Sequence, residues 1–169
     1  MKRLRIPALL VASTFAAAAS CPVVGHADDS APPCQSGQVV VGASRTQAAA
    51  THRAVLLTFE LASYAPPCTV TGYPGVDSGI GGPQLQAQRT LRGYLGGLPT
   101  SVGEPPTITL AKSSPAYAVV ESVAVDGTGG PCPSYSSLRV TPPDNTDTQD
   151  VPVTIDGCAL QVHPIGSGL

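Results

Sequence analysis

Tryptophan is absent from this chain, and aromatic residues make up only 4% of it. A core built around a buried indole, as in antibody domains, is therefore excluded, and aliphatic side chains must supply most of the packing. Basic residues are also scarce, with nine Lys and Arg against eleven Asp and Glu in 169 residues. Three of the nine, Lys2, Arg3 and Arg5, sit at the extreme N-terminus, so the remainder carries six against eleven, a net charge of −5. Nucleic acid and anionic membranes are recognised by clustered positive charge, which the body of this sequence lacks. Beyond residue 27 the only histidines are His52 and His163, and neither belongs to a His-Glu-x-x-His or other metal-spaced pattern. There is no Cys-x-x-Cys and no Gly-x-Ser-x-Gly elbow, because Gly75-Val76-Asp77-Ser78-Gly79 places its serine at the wrong offset. The Gly-rich stretches at 79–82 and 127–130 lack the Lys-Ser/Thr and the helix of a phosphate cradle. No catalytic residue, cofactor or resident metal is thus designated. The enzymatic chemistry left open is a small hydrolase whose groups meet only in three dimensions, using His52 or His163 with a neighbouring Asp. His52 heads a strand and His163 lies near the end of one, so both read as surface or edge residues.

One charge-free, mostly apolar run is present, at residues 6–19, directly after the basic start. Its fourteen residues fall short of the about 20 that span a bilayer, so it reads as an export signal. Gly25-His26-Ala27 is a small-x-small site ahead of Asp28-Asp29, which predicts cleavage after Ala27 and leaves 28–33 as a short polar linker. A competing reading takes Ala18-Ala19-Ser20-Cys21 as a permissive lipobox without its usual Leu. Cys21 would then carry a lipid, and residues 22–33 would be a tether. In a blander alternative, Cys21 is a small apolar residue of a discarded peptide. No second apolar stretch is long enough to cross a membrane.

Each reading leaves Cys34, Cys68, Cys132 and Cys158, an even number in an oxidising compartment, which favours two disulfides over metal ligation. Four cysteines admit three connectivities, and sequence alone does not choose among them. The preferred pairing joins Cys34 with Cys68 and Cys132 with Cys158, because each pair then flanks a predicted strand pair. Closing loops of about 30 residues contributes about 3 to 4 kcal/mol each on the chain-entropy model.

The ordering signals have period two, the mark of half-buried strands. The clearest covers residues 52–61, where Val55, Leu57, Phe59 and Leu61 alternate with Leu56, Thr58 and Glu60. Further strands are predicted at 38–41, 68–73, 84–88, 107–110, 117–125, 137–141, 151–155 and 160–165. Those at 107–110 and 117–125 read as a pair joined by Ser113-Ser114-Pro115, the one at 84–88 as a polar edge, and Pro152 confines its strand to an edge or a strand start. Gly and Pro recur about every five residues, and no segment past the leader holds a helical period for three turns. A short amphipathic turn at 84–95 is the exception, with strand or loop favoured there. These features predict an all-β protein, an antiparallel immunoglobulin-like β-sandwich with two disulfides over residues 34–166, followed by a flexible tail at 167–169.

Two local constellations carry possible chemistry. Asp144, Asn145, Asp147 and Asp150 crowd a seven-residue loop, and their oxygens are of the kind Ca²⁺ takes, but the central Gly and distal Glu of an EF-hand are missing. A solvated hairpin tip is the simpler reading. Cys68-Thr69-Val70-Thr71-Gly72-Tyr73-Pro74 is the second. In it Gly72 admits positive φ, Tyr73 is expected to bury its ring with its hydroxyl on a backbone partner, and Pro74-Gly75 is expected to turn the chain. Alternatively, Tyr73 lines a ligand groove.

That heptapeptide resembles the hallmark of an actinobacterial exported domain family of unknown function, some of whose members are lipoproteins. Leu138-Arg139-Val140-Thr141-Pro142-Pro143 behind Cys132-Pro133, and the closing Cys158-Ala159-Leu160-Gln161-Val162-His163-Pro164-Ile165, are similar to it as well. The resemblance spans about residues 34–165, and residues 79–98 depart from it in being longer and richer in Gly. It implies an exported β-sandwich with paired cysteines, and it brings no catalytic residues. The functional expectation is a non-enzymatic cell-envelope module that binds a protein, glycan or lipid partner, with the hydrolase and a purely structural envelope protein as alternatives.

Overall fold

Val55, Leu57 and Phe59 are fully buried on one face of the longest strand, while Glu60 on the opposite face is exposed. Burial of each such side chain is worth roughly 1.5–3 kcal/mol, and this strand organises the rest of the fold. The computed structural model describes residues 30–168. The expected leader at 1–27, its cleavage site at Ala27, the alternative anchor Cys21 and the last residue, Leu169, lie outside the described residues.

The described residues form eleven strands and no helix. In chain order these are β1 (Val39–Ala43), β2 (Gln47–Ala49), β3 (His52–Leu61), β4 (Cys68–Thr71), β5 (Gly75–Ser78), β6 (Gln88–Arg89), β7 (Thr107–Leu110), β8 (Ala116–Val123), β9 (Ser134–Thr141), β10 (Gln149–Asp156) and β11 (Leu160–Val162). A six-stranded sheet runs β1-β3-β8-β11-β6, with β2 also paired to β3. A three-stranded sheet runs β10-β9-β5, and β4 pairs with β7 in a third. Every strand pairing is antiparallel except that of β6 with β11.

All three sheets contribute to one apolar cluster. Val39 and Val41 of β1, the buried face of β3, Val120 of β8 and Val162 of β11 pack with Val76 of β5, Leu138 and Val140 of β9, Val151 and Ile155 of β10, and Val70 and Leu110 of the small sheet. Tyr135 supplies the large aromatic of this core, and its hydroxyl donates to the Pro83 carbonyl at 2.8 Å. The disulfides join Cys34 to Cys68 and Cys132 to Cys158, closing separations of 34 and 26 residues.

A side chain closes the rim between the two larger sheets. The Gln149 amide of β10 donates to the Val39 carbonyl at 2.8 Å and accepts from the Val41 N–H at 3.0 Å, capping the outer edge of β1. Edge strands expose unpaired backbone groups that invite another chain, and this clamp removes two of them.

The strand map differs from expectation in instructive places. Gly75–Ser78 is a strand, β5, paired with β9, because the chain turns at Gly72 (φ +94°) and not at Pro74-Gly75. Gln47–Ala49 forms an additional hairpin arm on β3. The strands at 107–110 and 117–125 are not partners: β7 pairs with β4, while β8 lies between β3 and β11. The edge strand expected at 84–88 shrinks to β6, Gln88–Arg89, with Gln86 bridged separately to Asp77. Pro152 lies in β10, an edge strand, beside a register shift. Pro32 and Pro33, expected in the linker, run beside β4, where the Pro32 carbonyl accepts from the Thr69 N–H at 2.8 Å.

Candidate functional site

β8 sits at the middle of the six-stranded sheet and is buried on nearly every residue, so its one charged residue, Glu121, is enclosed with only 3% exposure. A carboxylate held away from water must be hydrogen-bonded or paired. Three elements supply partners. His163 follows directly on β11, and its Nε2 lies 3.0 Å from Glu121 Oε1. The segment after β6 folds over this site, and the Tyr94 and Leu95 N–H groups donate to the two carboxylate oxygens at 2.9 and 2.6 Å. On the other side of the ring, His163 Nδ1 lies 3.0 Å from the Thr90 carbonyl and 3.1 Å from Thr90 Oγ1.

Glycine makes the overlying segment possible. A Cβ at Gly93 would stand 2.6 Å from both Glu121 Oε1 and His163 Nε2, and one at Gly96 would stand 2.7 Å from the Val119 side chain. The segment closes on itself through Gly93 N–H to Gly96 O at 2.9 Å and Leu98 N–H to Leu91 O at 2.9 Å. It carries the exposed Tyr94 ring outward, where His52 stacks on it at 4.3 Å and 19°. An apolar cleft of about 370 Å³ opens on one side, between Leu56, Leu98, Tyr117 and Val119. A smaller one of about 240 Å³ opens at His52, Tyr94 and Gln161.

His163 departs from the expectation that both histidines lie at the surface or a strand edge, whereas His52 heads β3 as expected and is partly exposed. His163 is fully buried, because the overlying segment covers the sheet face it occupies. His52 lies in β3, paired on both sides, with β2 and β8. Both ring nitrogens of His163 are engaged, Nε2 by the Glu121 carboxyl and Nδ1 by the carbonyl and hydroxyl of Thr90. A serine-type triad aims Nε2 at a nucleophile and Nδ1 at a carboxylate. Here Nε2 faces the carboxylate and Nδ1 faces a backbone oxygen, in a place without solvent, so the arrangement ties three elements together.

Among the motif residues, Gly72 takes the positive φ its type permits, and its carbonyl accepts from the Ile165 N–H at 2.9 Å. Pro74 is buried, whereas Tyr73 is only half-buried and has no backbone partner among the hydrogen bonds of the described residues; that arrangement belongs to Tyr135. Tyr73 forms the wall of an open cleft of about 630 Å³ that also includes Asp77, Gln86, Arg89 and Asp144. The acidic loop does not converge on a centre. Asn145 Oδ1 accepts from the Thr146 and Asp147 N–H groups at 2.7 and 3.0 Å, Asp147 accepts from the Gly37 N–H at 2.6 Å, and Asp150 lies within β10 opposite Arg139. Among the described residues no three His, Cys, Asp or Glu side chains are grouped to hold a metal ion.

Sequence reading missed Glu121, Thr90 and Gln149. Glu121 had a signal: it is the single charge in the run Ala116-Tyr117-Ala118-Val119-Val120-Glu121-Ser122-Val123, and charged residues are almost never fully buried unless paired. Thr90 and Gln149 had none.

Two disulfides suit an extracytoplasmic compartment, and no helix among the described residues is long and apolar enough to cross a membrane. No curated protein and no solved structure matches the chain. A family model described as a domain of unknown function, DUF4232, matches residues 34–166, nearly all that the structure describes, and the chain belongs to that family.

Proposed function

We propose that this chain is an exported, non-enzymatic binding module of the cell envelope, built as an immunoglobulin-like antiparallel sandwich and released by cleavage after Ala27. The observation that supports it best is how the histidines are used. A general base must come within reach of a substrate proton. Both ring nitrogens of His163 are engaged in a buried site by Thr90 and Glu121, and one face of His52 is covered by Tyr94. Polar side chains instead collect unengaged around open clefts. Asp77, Gln86 and Arg89 beside Tyr73, and Glu60 and Lys112 beside Tyr64, have no side-chain hydrogen bond or ion pair among the described residues. Such clefts, with a few free polar groups on a rigid scaffold, are where ligands bind. The partner on this reading is an envelope protein, glycan or lipid.

The test combines cosedimentation with isolated cell-envelope fractions and a panel of chromogenic ester, peptide and glycoside substrates. The mature, oxidised chain is expected to bind envelope saturably and to leave the substrates unchanged. Turnover abolished by His163→Gln or His52→Ala would establish the hydrolase instead, and absence of saturable binding would leave a structural body without a ligand. Mass spectrometry of the mature N-terminus checks the export reading: Asp28 is expected, and a diacylated Cys21 would replace release with anchoring.

A further inference from the structure

We propose that Tyr64 is the anchor of a saccharide-binding site at the turn between β3 and β4, an inference that rests on the binding-module reading and gives it a place and a ligand class. The turn spans Ala62 to Ala65, closed by the Ala65 N–H on the Ala62 carbonyl at 3.0 Å, with Tyr64 at its third position and φ +68°. A positive φ there is the requirement of a type II turn, which selects Gly or Asn. A bulky aromatic in that conformation is strained. The other non-glycine residues at positive φ are Ala50, with a minimal side chain, and Asp144, of a type that tolerates the region. Tyr64 gains nothing in packing to offset its strain, because its exposure is 105%, the full value of an isolated residue. Strain retained without a structural return points to function.

The ring stands at the lip of a cleft of about 540 Å³ that includes Glu60, Ser63, Lys112 and Pro115. That volume lies within the roughly 300–1,000 Å³ typical of small-molecule sites. A pyranose offers a face of C–H groups and a rim of hydroxyls. The exposed Tyr64 ring suits the first, while the Glu60 carboxylate accepts and the Lys112 ammonium and Ser63 hydroxyl donate to the second. A protein partner is less well served, since the centre of a protein interface gathers several apolar and aromatic residues and is depleted of charge. Here a single aromatic is flanked by charges of both signs. A lipid surface calls for Lys and Arg beside a broad apolar face, and Lys112 is the one basic residue of this cleft.

The experiment titrates the oxidised chain with a panel of soluble oligosaccharides containing neutral hexoses, hexosamines or uronic acids, read by NMR shifts of the tyrosine ring protons and by calorimetry. At least one is expected to shift the Tyr64 ring. Tyr64→Asn, which suits the turn, is expected to keep or raise Tm by about 2 to 4 °C while weakening that saccharide at least tenfold. Tyr64→Phe is expected to retain binding, and Glu60→Gln and Lys112→Gln to weaken it severalfold with Tm unchanged. Saccharide binding that is untouched by Tyr64→Asn would overturn the site, as would a lowered Tm in that variant. If no saccharide binds but the wild-type chain still sediments with envelope and Tyr64→Asn does not, the ligand class is wrong while the binding module stands. If neither interaction occurs, both readings fall.

Discussion

Glu121→Met is the most demanding single test of how this fold is held together. The Glu121 carboxylate accepts three hydrogen bonds in a site that is 3% exposed, from the Tyr94 and Leu95 N–H groups and from His163 Nε2. Methionine fills much the same volume and accepts none of them. Each orphaned buried donor costs about 1 to 3 kcal/mol, and removing one member of a buried pair costs about 3 to 5 kcal/mol in total. Against a typical stability of roughly 5 to 15 kcal/mol this is a large fraction. For a domain of this size each kcal/mol moves Tm by about 2 to 4 °C, so a fall of about 6 to 20 °C is expected. Urea and thermal unfolding followed by circular dichroism, with the disulfides kept oxidised, measure it. The double variant Glu121→Met with His163→Phe removes both ends of the pair and is expected to cost less than the sum of the single changes, with a coupling of at least about 1 kcal/mol. Amide exchange gives a local reading, since Tyr94 and Leu95 are expected to lose protection well before the β9 amides. A loss below about 1 kcal/mol, or strict additivity in the cycle, would refute the view that this buried pair fastens the overlying segment.

Gly93→Ala places a Cβ 2.6 Å from Glu121 Oε1 and His163 Nε2, so it is expected to lift the segment, cost about 1 to 3 kcal/mol and shift the Tyr94 ring resonances as the His52 stack opens; unchanged rings would count against it. Cys132→Ala with Cys158→Ala reopens a separation of 26 residues and is expected to cost about 3 to 4 kcal/mol in denaturant unfolding; a loss below about 1 kcal/mol would contradict the chain-entropy account. The Asp126 carboxyl is held below the ordinary aspartate value of 3.8, first by the Thr128 hydroxyl and then by the Gly130 and Thr128 N–H groups. Its contribution to loop order is therefore complete above that value and is lost as pH falls through the lower folded value; an NMR titration midpoint at or above 3.8 would refute it. Gln149→Leu leaves the Val41 N–H and Val39 carbonyl of β1 unpaired and is expected to cost about 1 to 3 kcal/mol and to promote self-association, visible by light scattering.

What could be read from sequence follows the reach of each signal. β3 was legible because Val55, Leu57 and Phe59 are buried in alternation with the less buried Leu56, Thr58 and Glu60. The same holds for the all-β class and for two disulfides, which depend on composition and an even cysteine count. Strand partners were harder. β7 and β8 are joined by a tight turn, which normally marks a hairpin, yet β8 is a central strand buried on both faces and takes its partners from β3 and β11. Pro74-Gly75 has turn chemistry, but the turn had already been made two residues earlier by Gly72, leaving Gly75 free to begin β5 opposite Thr141.

The buried site was hard to read for a different reason: its two halves lie apart in sequence, and the signal in one, a lone charge in an apolar run, does not point to the other. Residues 79–98 read as a Gly-rich stretch holding a polar edge strand at 84–88 or a short amphipathic turn at 84–95, and Glu121 as one charge in the strand at 117–125. Their relation follows from β8 being central. Its backbone groups are committed to β3 and β11, so a carboxylate on its covered face must find donors in a segment laid across the sheet. Backbone N–H groups reach a carboxylate at 2.6 to 2.9 Å only if the covering residues have no Cβ in the way, which is the situation of Gly93 and Gly96. Gly93 is thus required by Glu121 and Gly96 by Val119, whereas Gly79, Gly81 and Gly82 lie close against residues 133–137. His163, on the strand next to β8, completes the pair and ties the end of the chain to the same point. A fold fastened in this way from inside makes no use of the fully exposed Tyr64 ring, the group on which the proposed saccharide site depends.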